Sequence, residues 1–175
     1  MTATPPGAGI RLGPRRRTAL PQLSLHTTLG DLSVAEEDGA IVSLDWGWAR
    51  DQMSTALLAR ARDQLFAYFD GTLTRFDLPL NPMGTRYRRG IWSALQAIPY
   101  GATRSYTEVA RQAGGSPRSV GQANGANPIP IIIPCHRVLA SNGIGGYSGG
   151  EGLLTKRALL TLEARAKPDL ASAAA

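Results

Sequence analysis

Residues 127–138 read Asn-Pro-Ile-Pro-Ile-Ile-Ile-Pro-Cys-His-Arg-Val, and the rest of the chain is best understood outward from them. A proline lacks the amide proton a helix needs and pushes the residue before it toward extended backbone. With prolines at 128, 130 and 134 this stretch cannot be helical. It is a stiff, apolar, extended approach to Cys135-His136-Arg137. Cys135 is the only cysteine in the chain, and His136 is one of two histidines. A thiol attacks well only as thiolate, and an adjacent base or positive field is what produces one near neutral pH. A free cysteine most often ends as an inert core residue, but the histidine, arginine and bracketing prolines favour a nucleophile here.

Downstream, Ser141–Gly150 (SNGIGGYSGG) holds five glycines and reads as a loop or wing. A last helix is expected over 153–166, with Leu153, Leu154, Ala158, Leu159 and Leu162 on its apolar side. Upstream, 86–97 (RYRRGIWSALQA) is an amphipathic helix with Ile91, Trp92 and Leu95 inward. Ser105 can cap the helix TEVARQAG, with Glu108 completing a capping box. Gly114-Gly115-Ser-Pro117 is a tight turn before a second short helix over 118–126. Two short helices about a Gly-rich turn in a basic segment suggest a helix-turn-helix whose second helix meets DNA.

The first half has another grammar. Three alternating runs between residues 22 and 46, separated by Gly30 and Glu36–Gly39, predict an antiparallel meander. Residues 51–69 predict a helix burying Leu57, Leu58, Leu65, Phe66 and Phe69, and 72–84 one more short strand and a Pro/Gly linker. The fold class is therefore α+β: a small N-terminal antiparallel sheet with a helix over 21–83, then a mostly helical, winged helix-turn-helix-like part over 84–168. Residues 1–20 read as a disordered basic tail and 169–175 as a short C-terminal tail.

Composition narrows the function classes. The 175 residues carry a net charge of +6, but it is segregated. Residues 1–17 have four arginines and no acid, 18–84 have nine acids against four arginines, and 85–157 have nine basic residues against two acids. A basic half joined to an acidic half suggests one surface for a polyanion. No run approaches the roughly 20 apolar residues of a membrane span, so no membrane role is expected. A single cysteine excludes an internal disulfide and a zinc site of several thiolates. The arginine triplet lacks the apolar core of an export signal, so a cytoplasmic protein is expected.

Ile131–Val138 resembles the active-site signature of the O6-alkylguanine-DNA alkyltransferases. So do Gly84-Thr-x-Tyr-x-x-x-Ile-Trp92-x-Ala-Leu-x-x-Ile-Pro-Tyr-Gly101, Ser105-Tyr106, Arg118-Ser-Val-Gly121, Asn127-Pro128 and Tyr147-Ser-Gly-Gly150. The likeness is dense over 84–165 and loose over 20–83, where it implies a ribonuclease H-like domain. It implies irreversible transfer of an alkyl group from O6 of guanine in duplex DNA, with O4 of thymine left open, onto Cys135. His136, through a water, would take the thiol proton, and Glu163 would orient His136. Asn127 would brace the turn, and Tyr106 would donate to the leaving base. Arg118 would replace the flipped nucleotide in the stack, with Ser119, Gly121, Ala123 and Asn124 along the DNA face. Pro130, the Val138 carbonyl, Tyr147 and Ser148 would form the substrate pocket.

The resemblance further implies no cofactor, one turnover per molecule, double-stranded DNA containing O6-alkylguanine as partner, and a monomer, with cooperative assembly on DNA left open. Some relatives hold zinc in the first domain; with only His26 there, this chain is expected to bind no metal. Two other readings compete. A non-enzymatic helix-turn-helix lesion binder would keep its thiol unmodified. A papain-like hydrolase would draw its histidine from a distant segment, unlike the adjacent Cys135-His136.

Overall fold

The computed structural model describes residues 20–165, so the tail over 169–175 and nearly all of that over 1–20 lie outside the described residues. The meander forms as expected: β1 (Gln22–Thr27), β2 (Gly30–Glu37) and β3 (Ala40–Trp46) pair antiparallel in the order β1-β2-β3. Asp38 and Gly39 link β2 to β3 with φ of 51° and 77°. Positive φ at both positions gives the hairpin a twist that matches its strands. Leu25, Leu32, Val34 and Leu44 present one buried face.

Helix α1 (Ala56–Phe69) covers that face. It starts later than residue 51 because the Thr55 side chain accepts the Leu58 amide at 3.1 Å and caps it. Its buried stripe is Leu58, Ala61, Leu65 and Tyr68. Phe66, expected inside, is exposed, since it lies one residue around the helix from Leu65; Tyr68 is inward instead. No strand forms within 72–84. Prolines 79 and 82 leave only a single bridge, in which the Ile41 amide donates to the Pro79 carbonyl and the Asn81 amide to the Ile41 carbonyl, both at 2.8 Å.

The second half begins with α2 (Arg86–Gln96), whose Ile91, Trp92 and Leu95 are buried as expected. A Cβ on Gly84 would lie 2.6 Å from the Trp92 ring, so this close approach requires glycine. Ser105 and Glu108 close the capping box of α3 (Tyr106–Ala113). Ser116 and Ser119 form a second box on α4 (Pro117–Gly125), so Pro117 is the first residue of that helix and Arg118 the second. The Trp92 indole donates to the Ala123 carbonyl at 2.8 Å and locks α2 to α4.

After the proline segment, Cys135–Arg137 makes one 3-10 turn. Strand β5 (Val138–Leu139) pairs parallel with β4 (Arg104–Ser105), and the glycine-rich loop carries no strand. Helix α5 (Leu153–Arg165) ends the described chain. Leu153 and Leu154, expected inside, are 43% and 66% exposed. The buried stripe is Thr155, Lys156, Leu159 and Glu163. Lys156 and Glu163 occupy it because they are engaged in the site described next, while Thr155 Oγ1 accepts the Glu151 amide at 2.9 Å. Buried residues of both halves form one continuous core.

Candidate active site

The proline segment folds into a tight structure that presents Cys135. Ile131 takes φ 71°, a left-handed conformation rare for a β-branched residue. It is held there by bonds from the Ile132 amide to the Pro130 carbonyl and from the Ile133 amide to the Ile129 carbonyl, each 2.9 Å. Asn127 spans this turn: its Nδ2 donates to the Ile133 carbonyl at 2.8 Å, and its Oδ1 accepts the Ile129 amide at 3.0 Å. From α4, Asn124 Nδ2 donates to the Cys135 carbonyl at 3.2 Å.

Cys135 is 4% exposed. Burial pushes its thiol pKa up, against the opposing pull of Asn127, nearby backbone amides and Lys156. The group is therefore a thiol at neutral pH, and its nucleophilicity depends on a base. His136 is fully buried beside it. Its Nε2 lies 2.7 Å from Glu163 Oε1, and its Nδ1 has no protein hydrogen-bond partner. That network assigns the ring proton to Nε2 and leaves Nδ1 as the basic nitrogen. Burial lowers the His136 pKa although Glu163 pulls it up, so the ring is neutral at pH 7.

Glu163 is the hub. Besides His136 it accepts Arg137 Nε at 2.9 Å on Oε2 and Arg137 Nη2 at 2.9 Å on Oε1. Tyr68 donates its hydroxyl to Oε1 at 2.8 Å, and the Gly101 amide donates to Oε2 at 3.1 Å. Burial alone would raise this carboxyl, but the bonds and charges of His136 and Arg137 prevail and hold it at about 2. Arg137 also donates Nη1 to the Ile98 carbonyl at 2.7 Å. Lys156 is fully buried, and its Nζ donates to the carbonyls of Val138 at 2.7 Å and Gly146 at 3.1 Å. Burial lowers its amine to about 8, with Cys135 opposing.

A cavity of about 160 Å³ adjoins the thiol. Asn124, Asn127, Pro130, Cys135, Tyr147 and Ser148 line it from the second half, and Leu44, Asp45 and Trp46 from β3. A Cβ on Gly149 would lie 2.7 Å from Trp46 Nε1 and 2.9 Å from Tyr147 Cε1, so only glycine lets the two aromatic rings close around it. Burial, then the neighbouring Cys135, raises the Tyr147 pKa. The same two causes raise that of Tyr106, with Asn124 opposing. The Tyr106 ring sits between two glycines: a Cβ would be 3.8 Å from it at Gly121 and 3.1 Å from it at Gly145. The Val138 carbonyl already accepts Lys156, which leaves one lone pair for a ligand.

Helix α4 departs from the sequence-based expectation. Val120, Ala123 and Asn124 form its buried stripe, so Ala123 and Asn124 face inward and not onto the exposed side of the helix. The outer face carries Arg118, Gln122 and Gly125, all exposed, with Gly121 partly so. Ser119 Oγ is occupied by Ser116 in the capping box and by Tyr87 Oη at 2.7 Å. Sequence reasoning missed Tyr68, the buried roles of Arg137 and Lys156, and the Trp46 wall. Lys156 was within reach: it precedes Leu159 by three residues and Glu163 by seven, a single helical face. Tyr68 carried no signal beyond the apolar stripe of α1. Among the described residues no group of three or more His, Cys, Asp or Glu side chains could hold a metal ion.

Residues 86–165 match the profile of the DNA-binding domain of 6-O-methylguanine DNA methyltransferase, and 23–82 that of its ribonuclease-like domain. The chain belongs to this family. It is 50% identical over 158 residues to the methylated-DNA–protein-cysteine methyltransferase of Mycolicibacterium paratuberculosis, covering 83% of this chain and 93% of that one. Identity to the constitutive enzyme of that name from Bacillus subtilis is 42% over 153 residues, covering 79% and 92%. The crystal structure of the Mycobacterium tuberculosis OGT in complex with DNA matches with TM-score 0.77 and 41% identity, covering 86% of this chain and 96% of that one. As a member of the family the chain is a DNA-repair methyltransferase, with a methylated DNA as substrate and a protein cysteine as acceptor. Among the described residues no helix is long and apolar enough to cross a membrane.

Proposed function

We propose that Cys135 accepts the alkyl group of O6-alkylguanine extruded from duplex DNA, once per molecule. The observation that carries this reading is the buried Cys135 thiol at the wall of a cavity, with His136 oriented by Glu163 and its Nδ1 free. His136 Nδ1 takes the thiol proton through a water. The sulfur attacks the alkyl carbon in line, an S–C bond forms, and the C–O bond breaks. The departing guanine regains a proton, with Tyr106 donating to it in the transition state. Asn127 holds the turn, Pro130, Tyr147 and Ser148 enclose the base, and the free lone pair of the Val138 carbonyl accepts its exocyclic amine. Because a thioether is inert to water and no second cysteine exists, the acceptor is consumed.

The lesion lies inside the helix, so the nucleotide must swing out, at a cost of a few kcal/mol that is smallest for a poorly paired base. Arg118, exposed at the start of α4, fills the gap, while Gly121 allows close approach. Thymine alkylated at O4 presents the same electrophilic alkyl carbon on a smaller ring and is a second substrate to test. A protein working as a cytoplasmic monomer with its lone thiol reduced fits this chemistry. Intact mass before and after incubation with a duplex containing O6-methylguanine tests the reading: the mass should rise by one methyl group, located on Cys135. No gain, or a methyl on another side chain, overturns it.

A further inference from the structure

We propose that Tyr68 is a positioning residue that restrains the basicity of Glu163 and so adds to burial in keeping His136 neutral and able to accept the thiol proton. The inference rests on the role of His136 given above and extends it to a residue of the other half of the molecule. Glu163 Oε1 is shared by three residues: Tyr68 through Oη at 2.8 Å, His136 through Nε2 at 2.7 Å, and Arg137 through Nη2 at 2.9 Å and Nε at 3.2 Å. A buried carboxylate facing imidazole alone would stabilise imidazolium strongly, because little else would solvate its charge. Such a histidine would rest protonated and could not act as a base. Every additional donor on Oε1 draws off part of that charge and weakens the pull on the ring.

Arg137 donates to Oε1 through Nη2 and, at longer distance, Nε, from the 3-10 turn itself. Tyr68 donates to it from α1, across the junction of the two halves, and is 1% exposed. Its hydroxyl stands 3.5 Å from His136 Nε2, too far to compete for the ring proton, which is committed to Glu163. Burial, then Glu163, raises the phenol pKa, so Tyr68 donates at every working pH. The other groups facing this network are Lys156 on α5, Cys135 in the turn, and Tyr100, whose ring lies 5.6 Å from the Arg137 guanidinium. None of these donates to Oε1.

The test is an NMR titration of the His136 ring in the full chain, with exposed His26, the only other histidine, as internal reference. In Tyr68→Phe the His136 midpoint should move up by about half a pH unit or more. The acid limb of the pH profile of single-turnover alkyl transfer should move with it. A folded Tyr68→Phe protein whose midpoint is unmoved overturns the inference. If that variant does not fold, 3-fluorotyrosine at position 68, a stronger donor of the same shape, should move the midpoint down; no movement overturns the inference equally. In a Glu163→Gln background Tyr68→Phe should shift nothing further, and a persisting shift would mean that Tyr68 acts by another route. A wild-type protein that never gains an alkyl group would refute the proposed function, whereas the midpoint would still decide what Tyr68 does to His136.

Discussion

The two halves of the molecule bury different things. The first half packs Leu25, Leu32, Val34, Leu44, Leu58 and Leu65 against one another and leaves none of its acids among its buried residues. The second half buries His136, Arg137, Lys156 and Glu163. Burying charge is costly unless every group is paired, and here each of the four has a hydrogen-bond partner. The sheet half is thus built for stability, and the helical half spends stability on holding a thiol beside a base. The division is not complete: Tyr68 bonds Glu163, and Leu44, Asp45 and Trp46 of β3 line the cavity, so the first half reaches into the site.

The widest contrast is chemical. Cys135→Ala should abolish alkyl uptake, measured by mass, yet leave binding to lesion-bearing duplex and the thermal midpoint nearly unchanged; residual uptake would break the assignment. Next comes Glu163→Ala, which strands Arg137 and His136 in the core. Removing one partner of a buried pair costs about 3–5 kcal/mol, visible in denaturant unfolding together with a large loss of transfer rate. In the intact protein, Glu163 with its depressed pKa adds stability that is fully present above the usual carboxylate pKa of about 4.3. That contribution should fade as pH falls toward about 2.

Leu65→Ala, in the apolar half, should lower stability by about 2–5 kcal/mol while the folded fraction transfers at the normal rate. A matching loss of rate would erase the distinction between the halves. The smallest effect is selective: Arg118→Ala should slow repair in duplex by about tenfold, roughly the 1.4 kcal/mol of one lost contact, and leave reaction with free O6-benzylguanine unchanged. Equal losses on both would remove the extrusion role from Arg118.

Much of this was legible in residue patterns, because local rules governed it. Alternation from 22 to 46 marked the meander, Ser105 and Glu108 marked the start of α3, and the prolines around 130 excluded a helix. What failed was the assumption that apolar residues point inward. On α5, Leu153 and Leu154 lost the buried face to Lys156 and Glu163, since the partners of those charges come from distant segments. Phe66 and Tyr68 exchanged places on α1 for a similar reason: the phenol's acceptor lies 95 positions away. On α4, the nine-residue length admits only one inward stripe, and it took Ala123 and Asn124 from the face assigned to DNA. Pairings across the fold leave no trace in periodicity.

One backbone bond joins the sheet to the proline segment: the Leu44 amide donates to the Pro128 carbonyl at 2.9 Å. That amide can trade its proton for deuterium only when β3 and the nucleophile's turn separate. Its exchange rate is a built-in gauge of docking, readable at a single NMR resonance. Comparing it before and after the acceptor is consumed would reveal whether the spent protein loosens along this seam or stays clasped.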